Sequence, residues 1–261
     1  MIPVNPDRKT VLITGGNKGI GFAIAKKFAT EGFNIVISGR DKKALKNAST
    51  QLTEYSDVPS NYFTCDVTNQ NDIKSMIDQV TNVTAIDVLI NNAGIHETKS
   101  FMNYELTDFK RVIETNLYSV FLVSKLVASN MLKNKAGSIV NIASTAGKWG
   151  SKNQSAYNAS KHAVVGLTRC MALELACYKI NVNAICPWIV DTEMGSRLLS
   201  DHAVIKEDSV ENLLANLKGS NPLGRLIRPE EVASLAFFLA TDQAAAITGQ
   251  SWSVDGGYTM I

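Results

Sequence analysis

Short runs rich in β-branched residues alternate along this chain with longer segments whose apolar positions recur at helical spacing. That alternation is the pattern of a parallel sheet covered by helices on both faces. The strand candidates are Thr10–Thr14, Asn34–Ser38, Tyr62–Cys65, Val88–Ile90, Gly137–Ile142, Asn181–Ile185 and Gln250–Val254. Val11-Leu12-Ile13 and Ile35-Val36-Ile37 are continuous apolar runs, as strands buried on both faces require. Helical spacing covers Ile20–Glu31, Lys42–Glu54, Gln70–Gln79, Leu106–Leu132, Ala156–Cys177 and Pro229–Ala240. The last opens with Pro229 at a first-turn position, followed by Glu230 and Glu231, where the helix dipole favours acids. No linker-like tract, repeat or low-complexity segment divides the chain. The pattern therefore predicts a single α/β domain over residues 1–261, a doubly wound (Rossmann-type) parallel sheet of about seven strands.

The segment from Glu193 to Pro222 breaks the rhythm, with Met194, Leu198, Leu199, Val204, Ile205, Leu213, Leu214 and Leu217 set among polar residues. It reads either as two surface helices or as a lid over a substrate cleft. Its place after a strand end favours the lid at about 193–222, since long insertions in compact domains tend to be functional.

Composition narrows the classes. The 261 residues suffice for a two-sided sheet, and a formal charge of +2 gives no reason to expect nucleic acid or an anionic membrane surface. The start, Met1 to Arg8, lacks the apolar core of a secretion signal, and no run of about 18 apolar residues suggests a membrane span. Cys65, Cys170, Cys177 and Cys186 are scattered and read as buried thiols of a reduced cytoplasm. His96, His162 and His202 have no metal-binding spacing, so no metal is expected.

Candidate chemistry lies elsewhere. Tyr157 and Lys161, four apart in a helical stretch, share one helix face, with Ser144 upstream. A cation held beside the phenol favours the phenolate and lowers its pKa, the equipment of a general acid/base. Nearer the N-terminus the first strand runs into Thr14-Gly15-Gly16-Asn17-Lys18-Gly19-Ile20-Gly21 and then a helix. Glycines there allow a tight turn, close approach to a pyrophosphate and close helix–sheet packing, while the helix N-terminus attracts the anion. The second strand ends Ile37-Ser38-Gly39-Arg40, with no carboxylate where an NAD site places one. Arg40 offers a planar fork for a phosphate, and Lys18 could approach the same group. Asp41 is the objection, unless it caps the helix from Lys42. The charges point to NADP(H).

Thr14–Gly21, Asn91-Asn92-Ala93-Gly94, Asn116, Ser144, Tyr157 and Lys161 follow in order, and with this set the chain resembles the short-chain dehydrogenase/reductase family over essentially its whole length. The resemblance implies that Tyr157 protonates the substrate oxygen while Ser144 hydrogen-bonds it. It implies that Lys161 holds the nicotinamide ribose, and that Asn116 holds a water relaying protons from Lys161. The cofactor would be lined by Gly15, Asn17, Lys18, Gly19, Ile20, Gly21 and Arg40, with Asp66 and Val67 at the adenine and Asn92, Ala93 and Gly94 alongside. Pro187, Ile189 and Thr192 would meet the carboxamide end. One departure stands out: Trp188 follows Pro187 where the family commonly has glycine, and it either walls the pocket or points into the lid.

Around Ser144 and Lys161 the sequence resembles ketoreductases of fatty-acid and aromatic polyketide synthesis, although Ile95-His96-Glu97 replaces the Pro-Gly-Gly tract of some polyketide members. This implies an NADPH-dependent reductase of a 3-oxoacyl thioester or polyketide chain, with His96, Trp149, Gln154 and Trp188 lining the substrate pocket. An acyl carrier protein would find a basic rim in Lys133, Lys135, Arg169 and Lys179. The alternatives are an oxidative dehydrogenase of a sugar, steroid or 3-hydroxy acid, and a non-catalytic NADP(H)-sensing protein. The resemblance further implies a homotetramer, consistent with helices apolar on more than one face (Val120, Phe121, Val123 and Leu126; Val164, Leu167, Met171 and Leu175) and with the C-terminal run Trp252–Ile261 near another interface.

Overall fold

The computed structural model describes residues 4–260. Residues 1–3, which begin the stretch read for a leader, and residue 261, which ends the C-terminal run, lie outside the described residues. Seven strands form one parallel sheet: β1 (Thr10–Thr14), β2 (Asn34–Gly39), β3 (Asn61–Thr64), β4 (Val88–Asn91), β5 (Gly137–Ile142), β6 (Ile180–Pro187) and β7 (Ser251–Val254). Their order is β3-β2-β1-β4-β5-β6-β7. The helices are α1 (Gly19–Thr30), α2 (Lys42–Leu52), α3 (Gln70–Thr81), α4 (Leu106–Ile113), α5 (Ser119–Asn134), α6 (Ser155–Leu175), α7 (Glu193–Lys206), α8 (Val210–Ser220) and α9 (Pro229–Leu239).

Alternation along each strand sends neighbouring side chains to opposite faces. Val11 and Ile13 of β1 join a core with Ile24 and Phe28 of α1, Leu45 and Leu52 of α2, and Val232 and Leu239 of α9. Leu12, between them, faces the other core with Ile73, Ile77 and Val80 of α3 and Val123, Val127 and Met131 of α5. Phe28 is fully buried and meets Phe33 and Phe237 edge to face, at centroid distances of 5.0 and 5.3 Å. Truncating it to alanine would cost roughly 3–5 kcal/mol and loosen α1, the helix that begins at the glycine turn.

The strand order reverses at β1. The chain winds outward through β2 and β3, then returns to β4 on the other side of β1, where Ile13 pairs with both Ile37 and Ile90. Loops leaving β1 and β4 therefore diverge and open a crevice at the carboxyl ends of the strands. A buried polar ladder stiffens this end: Asn91 Nδ2 donates to Ser124 Oγ and Asn141 Oδ1, and Asn141 Nδ2 donates to Thr168 Oγ1, each at 2.8 Å.

Two expectations need correction. The helix read as Leu106–Leu132 contains a π-helical turn at Glu114–Tyr118, which turns the fully buried Asn116 inward. The whole span Leu106–Asn134 is long and apolar enough to cross a membrane by length and composition. Here its apolar side is a core surface, with Val120, Val123, Val127 and Met131 packed in the interior. The thiols also differ, for Cys65 and Cys186 are buried but Cys170 and Cys177 are exposed. Helical spacing put both on α6 or just beyond it, on the side away from the sheet.

The inserted segment is a helical pair. Thr192 caps α7 by accepting from Gly195 N at 3.2 Å, and Ser209 caps α8 by accepting from Asn212 N at 3.1 Å. Leu199, Ala203 and Leu213 are buried, whereas Val204 is 79 % exposed.

Candidate active site

The glycine turn is built for close approach. Gly15 and Gly19 take positive φ (+64° and +54°), a conformation costly for residues with a Cβ. A Cβ at Gly21 would lie 2.3 Å from Gly15 O and 2.5 Å from Asn92 Nδ2. Asn92 Nδ2 donates to the carbonyls of Thr14 and Gly15, each at 3.0 Å, so its amide braces the turn. α1 begins without a side-chain cap and has no acidic residue in its first turn. The backbone N–H groups of Gly19, Ile20 and Gly21 are thus presented as a helix N-terminus presents them to an anion. Asn17 packs against the end of β2, its Oδ1 3.0 Å from where a Cβ of Gly39 would stand.

At the end of β2, Arg40 is exposed, and its charge helps hold the Asp66 carboxyl below its ordinary value, after the hydrogen bonds from Thr68. Asp41 accepts from Ala44 N at 3.0 Å and caps α2, which removes the objection it raised. Asp66 is itself engaged by Thr68, from N at 2.9 Å and Oγ1 at 2.8 Å, and Val67 is buried beside it. Lys18, expected near the cofactor phosphate, pairs through its ammonium with Glu193 Oε2 of α7 at 2.7 Å.

Ser144, two residues past β5, is extended and accepts from Ala146 N at 3.1 Å. Tyr157 and Lys161 lie one turn apart on α6, with Lys161 Nζ 5.6 Å from the phenol ring centre. Lys161 is 5 % exposed and donates to Ile142 O at 2.8 Å. Burial pushes Tyr157 up to about 12, against a hydrogen bond from Ser144 that acts the other way. Burial pushes Lys161 down to about 8. The expected lowering of the phenol by the ammonium is therefore not met: both groups sit where the protein disfavours charge, and desolvation outweighs their attraction.

Asn116 is brought to this site, where its amide also has a structural task. Its Oδ1 accepts from Ile95 N at 2.8 Å, and its Nδ2 donates to Ile95 O at 2.9 Å and Ser160 Oγ at 3.1 Å. The amide ties the loop after β4 to α6, with both N–H groups donated and one Oδ1 lone pair in use. Gly94 keeps the same corner open, for a Cβ there would approach Asn116 Oδ1 to 3.2 Å and Lys161 Nζ to 3.8 Å. Ala93 N donates to Thr14 Oγ1 at 3.1 Å, joining the two loops that flank the crevice.

The proposed pocket residues divide into two groups. His96 meets Tyr157 with ring centres 4.6 Å apart, and Gln154 lies with His202 of α7, Nε2 to Nε2 at 3.0 Å. Trp149 and Trp188 instead pack on Tyr258, at 4.8 and 4.7 Å. Trp188 is 7 % exposed and belongs to the core cluster against which Tyr258 and Leu217 of α8 pack. Pro187 ends β6; Ile189 O accepts from Ile227 N at 3.1 Å, and Thr192, besides capping α7, stands against Gly19. Sequence reasoning missed His202 and Tyr258. His202 sits in an ordinary amphipathic helix, and Tyr258 lies in a C-terminal turn with no motif around it. Among the described residues no group of three or more His, Cys, Asp or Glu could hold a metal ion.

A family model described as "Enoyl-(Acyl carrier protein) reductase" matches residues 15–259. The 3-oxoacyl-acyl-carrier-protein reductase FabG of Chlamydia muridarum is 37 % identical over 250 residues, 95 % of this chain and 96 % of that protein. Among solved structures, a single-substitution variant of actinorhodin polyketide ketoreductase with NADPH superposes at a TM-score of 0.95, with 36 % identity and coverage of 99 % of this chain and 100 % of that one. An NAD+-bound xylitol dehydrogenase superposes at 0.92, with 33 % identity over 95 % of this chain and 98 % of the other.

Proposed function

The chain belongs to the short-chain dehydrogenase/reductase family, and on that premise we propose that it is an NADPH-dependent carbonyl reductase acting on a 3-oxoacyl thioester or polyketide chain. It is an oxidoreductase that uses a nicotinamide cofactor, which supplies the hydride when bound. The residues present fit that group: an uncapped helix N-terminus behind glycines whose Cβ atoms would clash, and a buried ammonium close to Gly94. In this reading Gly15, Asn17, Gly19, Ile20 and Gly21 hold the pyrophosphate, and Arg40 the 2′-phosphate. Asp66 and Val67 flank the adenine, Asn92, Ala93 and Gly94 wall the crevice, Lys161 holds the ribose, and Pro187, Ile189 and Thr192 hold the carboxamide.

The observation that carries the proposal is the pairing of Ser144 with a Tyr157 hydroxyl that burial keeps protonated. As a ketone is reduced, negative charge builds on its oxygen. Two hydroxyls donating to that oxygen would stabilise the transition state more than the ground state. Tyr157 then gives up its proton, and a phenol held neutral at pH 7 is suited to donating rather than accepting one. Lys161 is fixed by Ile142 O, so its position is set before substrate arrives. The α7–α8 pair serves as a lid that excludes water. Exposed Lys133, Lys135, Arg169 and Lys179 support delivery by an acidic carrier protein. Exposed Phe121, Leu173 and Trp252 support a homotetramer.

An oxidative reading is favoured by one observation, the likeness to xylitol dehydrogenase bound to NAD+. Initial rates followed by nicotinamide absorbance separate the two. We expect acetoacetyl thioester with NADPH to be the fastest pair, ahead of NADH and of a crotonyl thioester. Faster oxidation of xylitol with NAD+ would overturn the direction and the substrate, and no turnover with any pair would favour the sensing protein.

A further inference from the structure

We propose that His96, Gln154 and His202 form a polar subsite beside Tyr157 that accepts a hydrogen bond from a substrate hydroxyl, alcoholic or enolic, near the reacting carbonyl. The proposal rests on the carbonyl-reductase reading and names a feature of the substrate that this reading leaves open.

Three separate segments build the subsite. His96 follows β4, Gln154 precedes α6, and His202 belongs to α7. The first two are clamped together, since Lys99 N donates to Asn153 O at 2.9 Å and Ile95 is gripped on both backbone atoms by Asn116. Arg111 of α4 holds Glu97 of the same loop at 2.8 Å. His96 is thus fixed on both sides, and its ring stands at 64° to the Tyr157 ring with centres 4.6 Å apart. Whatever Tyr157 protonates lies within reach of this imidazole.

Hydrogen-bond accounting assigns the polarity. Gln154 has one amide to share between two imidazoles. Its Nε2 faces His202 Nε2 at 3.0 Å and donates there, leaving Oε1 as an acceptor. A hydrogen bond with Gln154 favours the charged form of His96, which is the effect of a ring N–H donated to an amide oxygen. Burial keeps the ring neutral, so only one nitrogen carries a proton. Nε2 is buried and has no partner among the described residues, so the donated proton is on Nδ1 and Nε2 is a bare lone pair. A buried acceptor in this state calls for a donor. A ketone or ether oxygen cannot supply one; a hydroxyl can.

The test compares kcat/KM of the full chain for a β-hydroxy ketone (4-hydroxybutan-2-one) and its O-methyl ether, each with NADPH and with NADH. The ether keeps the oxygen and removes the donor. We expect wild type to prefer the hydroxy ketone about tenfold, the scale of one buried hydrogen bond left unmade. His96→Phe keeps a ring against Tyr157 and should bring that ratio close to one, chiefly through KM of the hydroxy ketone. His96→Gln restores an acceptor and should recover part of the preference. A wild-type ratio near one, measured before any variant is made, overturns the subsite. So does a His96→Phe enzyme that keeps the wild-type ratio, or one that loses both substrates equally through kcat. If wild type reduces neither ketone and no acetoacetyl thioester with either cofactor, the carbonyl-reductase reading falls, and the subsite falls with it.

Discussion

The Lys18 ammonium, in the turn that opens α1, stands 2.7 Å from the Glu193 carboxylate at the start of α7. The pair joins the phosphate end of the crevice to the helical pair over it. Both side chains are largely exposed, 66 and 77 %, so the bond adds little to stability. Its interest lies in competition: a carboxylate occupies the cation that a phosphate would use. Glu193→Gln should leave the urea midpoint nearly unchanged and tighten NADPH by about two- to fivefold at low salt, with the gain fading as salt rises. Fluorescence titration at two ionic strengths checks this, and unchanged affinity would place Lys18 out of reach of the phosphates.

Arg40 is exposed and makes no hydrogen bond or ion pair among the described residues, while Asp41 is taken up in capping α2. Its guanidinium is therefore available to a 2′-phosphate. Arg40→Ala should weaken NADPH by about ten- to a hundredfold, the worth of one charge-assisted contact, and NADH by far less. Competitive titration of both cofactors decides it; equal losses would refute the assignment to NADP(H).

Tyr157→Phe removes the proton donor but keeps the ring that packs against His96. Turnover should fall about 10²–10⁴-fold, while cofactor titration gives a dissociation constant close to that of wild type. Substantial remaining turnover would take the tyrosine out of its assigned role.

Lys161 supplies a pH signature. Its folded pKa, about 8, lies below the ordinary value of 10.5 because burial disfavours the ammonium. Between those values the unfolded chain holds the proton more tightly, so stability rises with pH there. Below pH 8 the lysine is charged in both states, and the full burial penalty is present. Relative to Lys161→Met, wild type should therefore gain stability between pH 7 and pH 9.5. Paired urea titrations measure it. A constant difference would mean that the ammonium is not penalised where it stands.

Much of the frame was legible in the chain. Val11-Leu12-Ile13 announced a strand buried on both sides, and the strand lies at the centre of the sheet with both neighbours in register. The helix read as starting at Lys42 does so, with Asp41 as its cap. The glycine spacing located a turn in which glycine is demanded by contacts as well as by φ. Tyr157 and Lys161 share a helix face because four residues make about one turn.

What the chain could not disclose are quantities that depend on burial and on partners remote in sequence. Spacing alone argued that Lys161 lowers the Tyr157 pKa; the fold reverses the shift, because desolvation depends on everything packed around the pair. Nothing near Asn116 in sequence disclosed that a π-helical turn aims its amide at Ile95, twenty-one positions earlier. Trp188 could not be placed until Tyr258, seventy positions later by number, supplied its stacking partner. Periodicity is a local property, fixed by how side chains project from a helix or strand, so the sequence by itself determined the elements, their order and the candidate chemistry. Solvation and cross-chain hydrogen bonding are properties of the assembled interior, and only the tertiary structure decided which of those groups are charged, which are occupied, and which still await a ligand.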